Sequence, residues 1–439
     1  MVDLAERATA DEAPDGYRMT ELGLLPEDWR VLPVGAAAEY INGYAFKSSD
    51  WGAEGDPIIR IQNLNDPTKP YNLFQGELAG KYRVERGDIL ISWSASLGTY
   101  RWNGPNAWLN QHIFKAEVNE GLVDRDFFYW AMKREIDHIA GSARGSTMKH
   151  VTRDVFRSFM LPLPPLPEQR AIAHVLSAVQ RAREATEAVI AATRELKRSL
   201  MRHLFMYGPV PVDEVAGVRL KETEIGLVPE HWKLEPLRTL LREPLRNGHS
   251  AREATSSEGL RTLTLTAVTK NSFSIVNTKI TVADASRVRD LWLSPGDILV
   301  ERANTRELVG LAALYEGPTG FAIFPDLMVR VRVDRARILE PFLSAYLVSS
   351  SCRAYFQRSA RGTAGSMPKI DHGTIERTVV PVPSLNEQES VRAALTAVDK
   401  KLTAEVARRA VLDDLFRTTL HNLMSGTLRV EVRSEPRCS

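Results

Sequence analysis

An eight-residue segment of this chain occurs twice. Pro162-Leu163-Pro164-Pro165-Leu166-Pro167-Glu168-Gln169 returns 219 residues later as Pro381-Val382-Pro383-Ser384-Leu385-Asn386-Glu387-Gln388. Upstream, Glu21-Leu22-Gly23-Leu24-Leu25-Pro26-Glu27-Asp28-Trp29 returns 203 residues later as Glu224-Ile225-Gly226-Leu227-Val228-Pro229-Glu230-His231-Trp232. Between them, Gly87-Asp88-Ile89-Leu90-Ile91 is echoed 209 residues later by Gly296-Asp297-Ile298-Leu299-Val300. Three motifs in one order with nearly one displacement make the chain two tandem copies of a single unit. Such a chain carries two similar modules and an approximate two-fold arrangement of their working surfaces.

With 439 residues there is enough chain for two to four domains with proper cores. The 44% hydrophobic and 26% charged fractions are those of an ordinary globular protein. Cys352 and Cys438 fit no disulfide or metal spacing, which suits a reducing compartment. Met1 to Arg7 has acidic residues where a signal peptide needs a basic start, and no run reaches the roughly 20 apolar residues that span a bilayer. A cytoplasmic protein is expected. Its net charge of +2 does not advertise a polyanion, so any phosphate contact must come from charge gathered on one face.

The organisation follows from punctuation. Residues 1 to about 18 read as a frayed tail. From 19 to 165 short β-rich runs, such as Pro57-Ile58-Ile59-Arg60-Ile61 and Asp88 to Trp93, alternate with Gly, Pro and Asn turns, followed by a helical stretch around Asp126 to Met132. The prolines at 162, 164 and 165 force extended backbone, while Pro167 and Glu168 suit the first turn of a helix. From Glu168 to about Phe205 no Pro or Gly occurs, and a seam recurs at Ile172, Leu176, Val179, Thr186, Ile190, Thr193, Leu196, Leu200 and Leu204. Gly208 ends this helix. A second mixed region and a second helix follow, with a seam at Val391, Leu395, Val398, Leu402, Val406, Phe416, Leu420 and Leu423. Arg409 interrupts it, Gly426 closes it, and Asn386 with Glu389 fits a capping box.

The expected fold class is α+β, with two mixed α/β domains and two long helices forming an antiparallel coiled coil. The domains are placed at 19–165 and 223–384, the helices at 166–207 and 385–426, and a linker at 208–222. The plainer alternative packs each helix on its own domain.

The usual signatures of catalysis are missing. There is no GxxxxGK[ST] loop, no GxGxxG and no HExxH, and the histidines, among them His112, His138 and His150, show no ligand spacing. Ser366-Met367-Pro368-Lys369 has SxxK spacing, yet Pro368 would break the helix that presents such a serine and the companion motifs are absent. Its counterpart, Gly145-Ser146-Thr147-Met148-Lys149-His150, lacks the spacing. A basic, glycine-containing loop at one place in both units reads as a turn or a polyanion contact through Lys149 and Lys369.

The polar clusters beside short strands point elsewhere. Arg60, Gln62, Asn63, Asn110, Gln111 and His112 in the first unit offer the side chains whose geometry matches base edges. Lys270, Asn271, Arg302, Asn304 and Arg306 are the comparable polar positions of the second unit. Trp93, Trp102 and Trp108 could stack on bases, but packing is the plainer reading. Gly87-Asp88 and Gly296-Asp297 read as turns entering strands.

In order of domain, junction and helix, repeated, the chain resembles the DNA-specificity subunits of type I restriction–modification systems over about Thr20 to Gly426. The marks are the duplicated junctions, the Leu-Gly-Leu-Leu-Pro-Glu-Asp-Trp opening and Arg-Gly-Asp-Ile-Leu-Ile-Ser. The resemblance implies two target-recognition domains, each reading half of a split site in double-stranded DNA, spaced by the helices. It implies docking of two methyltransferase subunits, with restriction subunits joining them. It also implies no catalysis and no cofactor in this chain, with S-adenosylmethionine, ATP and magnesium belonging to the partners. Glu168, Gln169, Glu387 and Gln388 become candidates for the partner-binding surface, although Ser384 and Asn386 replace the prolines of the first junction. The rival readings are a coiled-coil scaffold without DNA and an unrecognised hydrolase.

Overall fold

A computed structural model describes residues 13–93, 96–142, 153–250, 252–254, 259–268, 273–362 and 367–431. The chain divides into two compact units, one of residues 1–187 with 407–439 and the other of 188–406. Both long helices, α1 (Leu166–Tyr207) and α2 (Leu385–Met424), therefore give one half to each unit.

In the first unit an antiparallel sheet runs in the order Ala38–Asn42, Ile113–Val118, Ile89–Ser92, Gly98–Arg101. Its apolar run Ile89-Leu90-Ile91 is buried throughout because both faces are covered, one by Tyr40, Phe114 and the helix Arg125–Ser142, the other by Ile59, Leu109 and Trp102. A second sheet orders Asn72–Phe74, Asp56–Ile59, Ala107–Leu109 and Arg83–Val84, with Ile58 and Ile59 parallel to Trp108 and Leu109. The second unit repeats this plan. Its main sheet orders Arg246–Asn247, Met328–Val331, Ile298–Glu301 and Ala312–Leu314, and a smaller sheet holds Arg252–Glu253, Thr278–Val282 and Leu260–Leu263.

The junction prolines lie in strands. Pro162 pairs with Val31 and Pro381 with Leu234, each on a two-stranded ribbon where the missing N–H costs no ladder bond. Gly208 (φ 81°) and Gly426 (φ 69°) end the two helices in the left-handed conformation that glycine adopts without strain.

Within each unit the helix segments run antiparallel. In the first, Arg183 pairs with Asp413 and Glu187 with Arg409, so ascending one helix descends the other. In the second, Lys197 pairs with Asp399, while Leu204 and Phe205 share a core with Val391 and Leu395. The buried seam threonines bond back to their own helix: Thr186 and Thr193 donate to the Ala182 and Val189 carbonyls at 2.8 and 2.7 Å. Three expectations are corrected. Leu196 and Val406 face solvent instead of the seam. The cap of α2 is Ser384 with Glu387, whose carboxylate accepts the Ser384 N–H at 3.0 Å, and Glu389 pairs with Arg392 instead. Tyr17 belongs to a strand, and its hydroxyl donates to the Gly426 carbonyl at 3.0 Å, so the chain is ordered before residue 18.

Candidate nucleic-acid interface

The two repeated motifs meet as one device. In the first unit Trp29 Nε1 donates to Glu168 at 3.0 Å, and in the second Trp232 Nε1 donates to Glu387 at 2.9 Å. The neighbouring glutamines are strapped alike. Gln169 accepts the Asp124 N–H at 2.7 Å and donates to the carbonyls of Leu122 and Pro164; Gln388 accepts the Leu339 N–H at 2.7 Å and donates to those of Arg337 and Pro383. Each glutamine ties the base of its long helix to the loop that starts a domain helix.

Glu168, Gln169 and Gln388 are buried, and Glu387 is half-buried. Their polar atoms are engaged inside their own unit. These four side chains, expected to face a partner, are thus held by contacts within their own unit.

The glycine turns behave as read. Gly87 (φ 96°) and Gly296 (φ 95°) each precede an aspartate whose carboxylate accepts a backbone N–H three residues back, from Glu85 and Ser294, both at 2.9 Å. Trp102 and Trp108 are buried, and Trp93 stacks on Phe114 with centroids 5.6 Å apart, so packing accounts for all three.

The candidate base readers separate into two groups. Asn63 is buried, its Oδ1 accepting the Arg60 N–H and its amide donating to the Lys69 and Pro70 carbonyls, so it braces a turn. Asn304 likewise donates to buried Glu301 at 2.7 Å. The Asn63 amide is thus engaged, while Asn304 stays half-exposed. Arg60 lies over the exposed Trp51 ring at 5.2 Å and donates to Asn72 at 3.0 Å, leaving one edge of its guanidinium uncommitted by these contacts. Gln62 and His112 are exposed, and Asn110 and Gln111 half-exposed. Gln111 and His112 touch at 3.3 Å, and His112 lies 5.8 Å from Trp93, so these three form one patch. In the second unit Arg302 and Lys369 come together, since Ala303 pairs with Lys369 and the Ile370 N–H reaches the Arg302 carbonyl at 2.8 Å. Arg306 is exposed and donates to the Gln357 carbonyl at 3.4 Å. Lys149, Lys270, Asn271, His150 and Ser366 lie outside the described residues.

Backbone hydrogen bonds set which positions correspond. The Trp93 N–H reaches the His112 carbonyl at 3.5 Å, and the Arg302 N–H reaches that of Leu327 at 2.9 Å, so Arg302 stands where Trp93 stands. Arg60 and Thr264 both adopt extended backbone before a single helical turn, Ile61–Asn65 and Leu265–Ala267. Gln62 thus matches Thr266. At these places the two frames agree while the side chains differ.

Among the described residues no group of three or more His, Cys, Asp or Glu could hold a metal ion, and no helix is long and apolar enough to cross a membrane.

Comparison with known proteins agrees with this duplicated frame. Residues 26–192 match the type I restriction modification DNA specificity domain. The MjaVIII specificity subunit of Methanocaldococcus jannaschii is 24% identical over 93% of this chain and 94% of its own length. The EcoBI specificity subunit of Escherichia coli is 23% identical over 93% of this chain and 88% of its own. In fold, the chain is similar to the S subunit of a type I restriction-modification system from M. genitalium, with a TM-score of 0.59, 15% identity, and coverage of 90% of this chain and 96% of that one.

Proposed function

We propose, for a chain that belongs to the DNA-specificity subunits of type I restriction–modification systems, that it reads a split and asymmetric duplex site. Residues 19–165 read one half and 223–384 the other, with 166–207 and 385–426 as spacer helices and 208–222 as linker. The observation that carries this reading is the pair of matched frames with unlike side chains at corresponding positions: exposed Gln62 against exposed Thr266, exposed His112 against half-buried Leu327, and Arg302 where the first unit has the packing residue Trp93. One frame with two side-chain sets recognises two different sequences.

Gln62, Gln111 and His112 in one half, and Arg302, Arg306 and Lys369 in the other, are the proposed contacts, with Arg60 and Asn110 beside them. Lys149, Lys270 and Asn271 remain proposed on sequence alone. The chain itself performs no chemistry in this reading. Two methyltransferase subunits dock on the outer faces of α1 and α2, where Leu196 and Val411 are exposed, and restriction subunits join them in the cytoplasm. S-adenosylmethionine, ATP and magnesium act in those partners.

Co-expression with the modification subunit, followed by genome-wide mapping of methylated bases, tests it. A two-part motif with unlike halves is the expected outcome, whereas a palindromic motif sinks the asymmetric reading. Binding to duplex DNA should fall steeply between two salt concentrations, since phosphate contacts release counterions. Affinity that ignores both salt and sequence would favour the scaffold.

A further inference from the structure

A fourth repeated motif is hidden in sequence and plain in the structure. Asn42-Gly43-Tyr44 and Asn247-Gly248-His249 each leave the edge strand of the main sheet. The Gly43 N–H reaches the Ile113 carbonyl at 3.1 Å and the Tyr44 N–H reaches that of Leu109 at 2.8 Å. In the second unit the Gly248 N–H reaches the Met328 carbonyl at 3.2 Å and the His249 N–H reaches that of Phe324 at 3.0 Å.

Glycine is obligatory at both places for the same reason. A Cβ on Gly43 would stand 2.1 Å from the Asn110 carbonyl oxygen, and one on Gly248 would stand 2.1 Å from that of Phe324. Only a bare Cα lets the strand press so closely against the facing turn. In the first unit that turn carries Asn110, Gln111 and His112, and the Gln111 N–H bonds back to the Tyr44 carbonyl at 2.9 Å.

The frame thus holds the residue after the glycine at one defined spot beside the proposed readers. Tyr44 is 37% exposed, and its ring is steadied edge-on by Phe46 and Tyr82 at 5.0 and 5.7 Å. That packing aligns an aromatic ring without enclosing it. His249 is half-exposed at the equivalent spot. The backbone contacts are kept and the hydrogen-bonding head is changed, a phenol in one unit and an imidazole in the other. A residue needed only for packing has no reason to combine a fixed, sterically demanding mount with an exchanged polar tip.

We propose that Tyr44 and His249 are specificity-determining residues, the Tyr44 hydroxyl and the His249 ring nitrogens each hydrogen-bonding a base edge in its own half-site. This rests on the DNA-reading function above. A phenol can donate or accept and an imidazole can do both through separate atoms, so neither copy imposes the other's base.

The test uses the full-length chain and selection of bound duplexes from a randomised library. The wild type comes first: failure to select any two-part motif refutes the DNA-reading function itself. With that motif in hand, Tyr44→Phe keeps the ring and its packing and removes only the hydroxyl, while His249→Phe keeps an aromatic ring and removes its nitrogens. Tyr44→Phe should relax one position of one half-site, with discrimination there falling roughly 5- to 100-fold. His249→Phe should do the same in the other half-site alone. Thermal midpoints close to wild type would separate this from damage to the fold. Unchanged motifs in both variants overturn the proposal, as does a uniform loss of affinity for all sequences, which would make these residues phosphate contacts. Should either variant fail to fold, Tyr44→His and His249→Tyr decide: each must alter its own half-site, and an unaltered motif refutes the assignment.

Discussion

The two units close the same latch with different partners. In the first, Glu168 is sealed against Trp29 and paired with Arg429, which also reaches Asp28 and lies over the Trp29 ring at 5.8 Å. In the second, Glu387 meets His231 at 2.8 Å, a residue adjacent in sequence to the latch tryptophan. His231 occupies the position of Asp28 in the repeat, so a carboxylate that meets Arg429 in the first unit is replaced by an imidazole that meets the latch glutamate itself. The first unit completes its latch with Arg429, and the second with His231. The tryptophan–glutamate hydrogen bond is kept through the duplication, while the glutamate's further partner comes from a different place in each unit. The same division separates the strapped glutamines, which are alike, from the exposed readers, which are not.

The strapping glutamines carry the most stability. Gln169→Ala and Gln388→Ala each leave a backbone N–H and two carbonyls without partners in a buried site, a loss of about 2–4 kcal/mol of local stability. Amide exchange at Asp124 and at Leu339, the N–H groups the glutamines accept from, should report the two losses separately. Equal losses support one duplicated device. A loss confined to one unit means the other glutamine is ornamental. Because the chain has two units, local exchange is the sounder readout than a single unfolding midpoint.

Acid comes next. Burial raises the Glu387 carboxyl, but hydrogen bonds from Trp232, Ser384 and His231 outweigh it and hold the group at about 2 against an ordinary 4.5. A depressed folded value means the carboxylate's stabilisation is complete above about 4.5 and drains away as pH falls towards about 2. Each tenfold gain in acidity on folding corresponds to about 1.4 kcal/mol, and partial exposure to water trims the total, so the second unit should lose on the order of 2–3 kcal/mol across that window. Glu387→Gln, measured by denaturation of the full chain from pH 5 to pH 2.5, should flatten the part of the slope that belongs to this latch. An unchanged slope would place the acid sensitivity elsewhere.

Much of the frame is legible in sequence because it is carried by residues with narrow uses. Glycine at positive φ, proline in an extended edge and a helix start marked by Glu-Gln are visible in one dimension, so the two helices and the turns at Gly87 and Gly296 can be read directly. The purpose of Trp29 and Glu168 cannot. They are 139 residues apart and meet only in the folded unit, so in sequence Glu168 reads as a free helix-start charge available to a partner. The readers are obscured for another reason. Loops of unequal length shift the register, which aligns Arg60 with the Lys270 region when its backbone counterpart is Thr264. Asn63 carries the right chemistry for bases, and only its burial and loop contacts show it engaged. Tyr44 and His249 are signalled by the repeated Asn-Gly dipeptide, too short to notice until the carbonyls crowding each glycine explain it.

The ion pairs along the helices contribute least. In the first unit Arg183 pairs with Asp413, which also holds Arg409, and the Arg183 guanidinium lies 4.6 Å from the centroid of the Phe416 ring. In the second, Lys197 and Asp399 form a pair at 2.6 Å, more open to water than the Arg183 pair. An exposed pair gains little, because water screens it and two long side chains lose freedom, so the Lys197–Asp399 coupling should be about 0.3–0.5 kcal/mol. The planar guanidinium gives the first pair a second contact on an aromatic face and a fixed fork towards the carboxylate, which should raise its coupling to about 1 kcal/mol. Double-mutant cycles with alanine at Arg183 and Asp413, and at Lys197 and Asp399, measure both values. Repeating them at about 1 M salt should nearly abolish the lysine coupling, where the Debye length shrinks to about 3 Å, and leave part of the arginine coupling, since ring contact is screened less. Equal couplings that vanish together in salt would show that the ring adds nothing to the arginine pair.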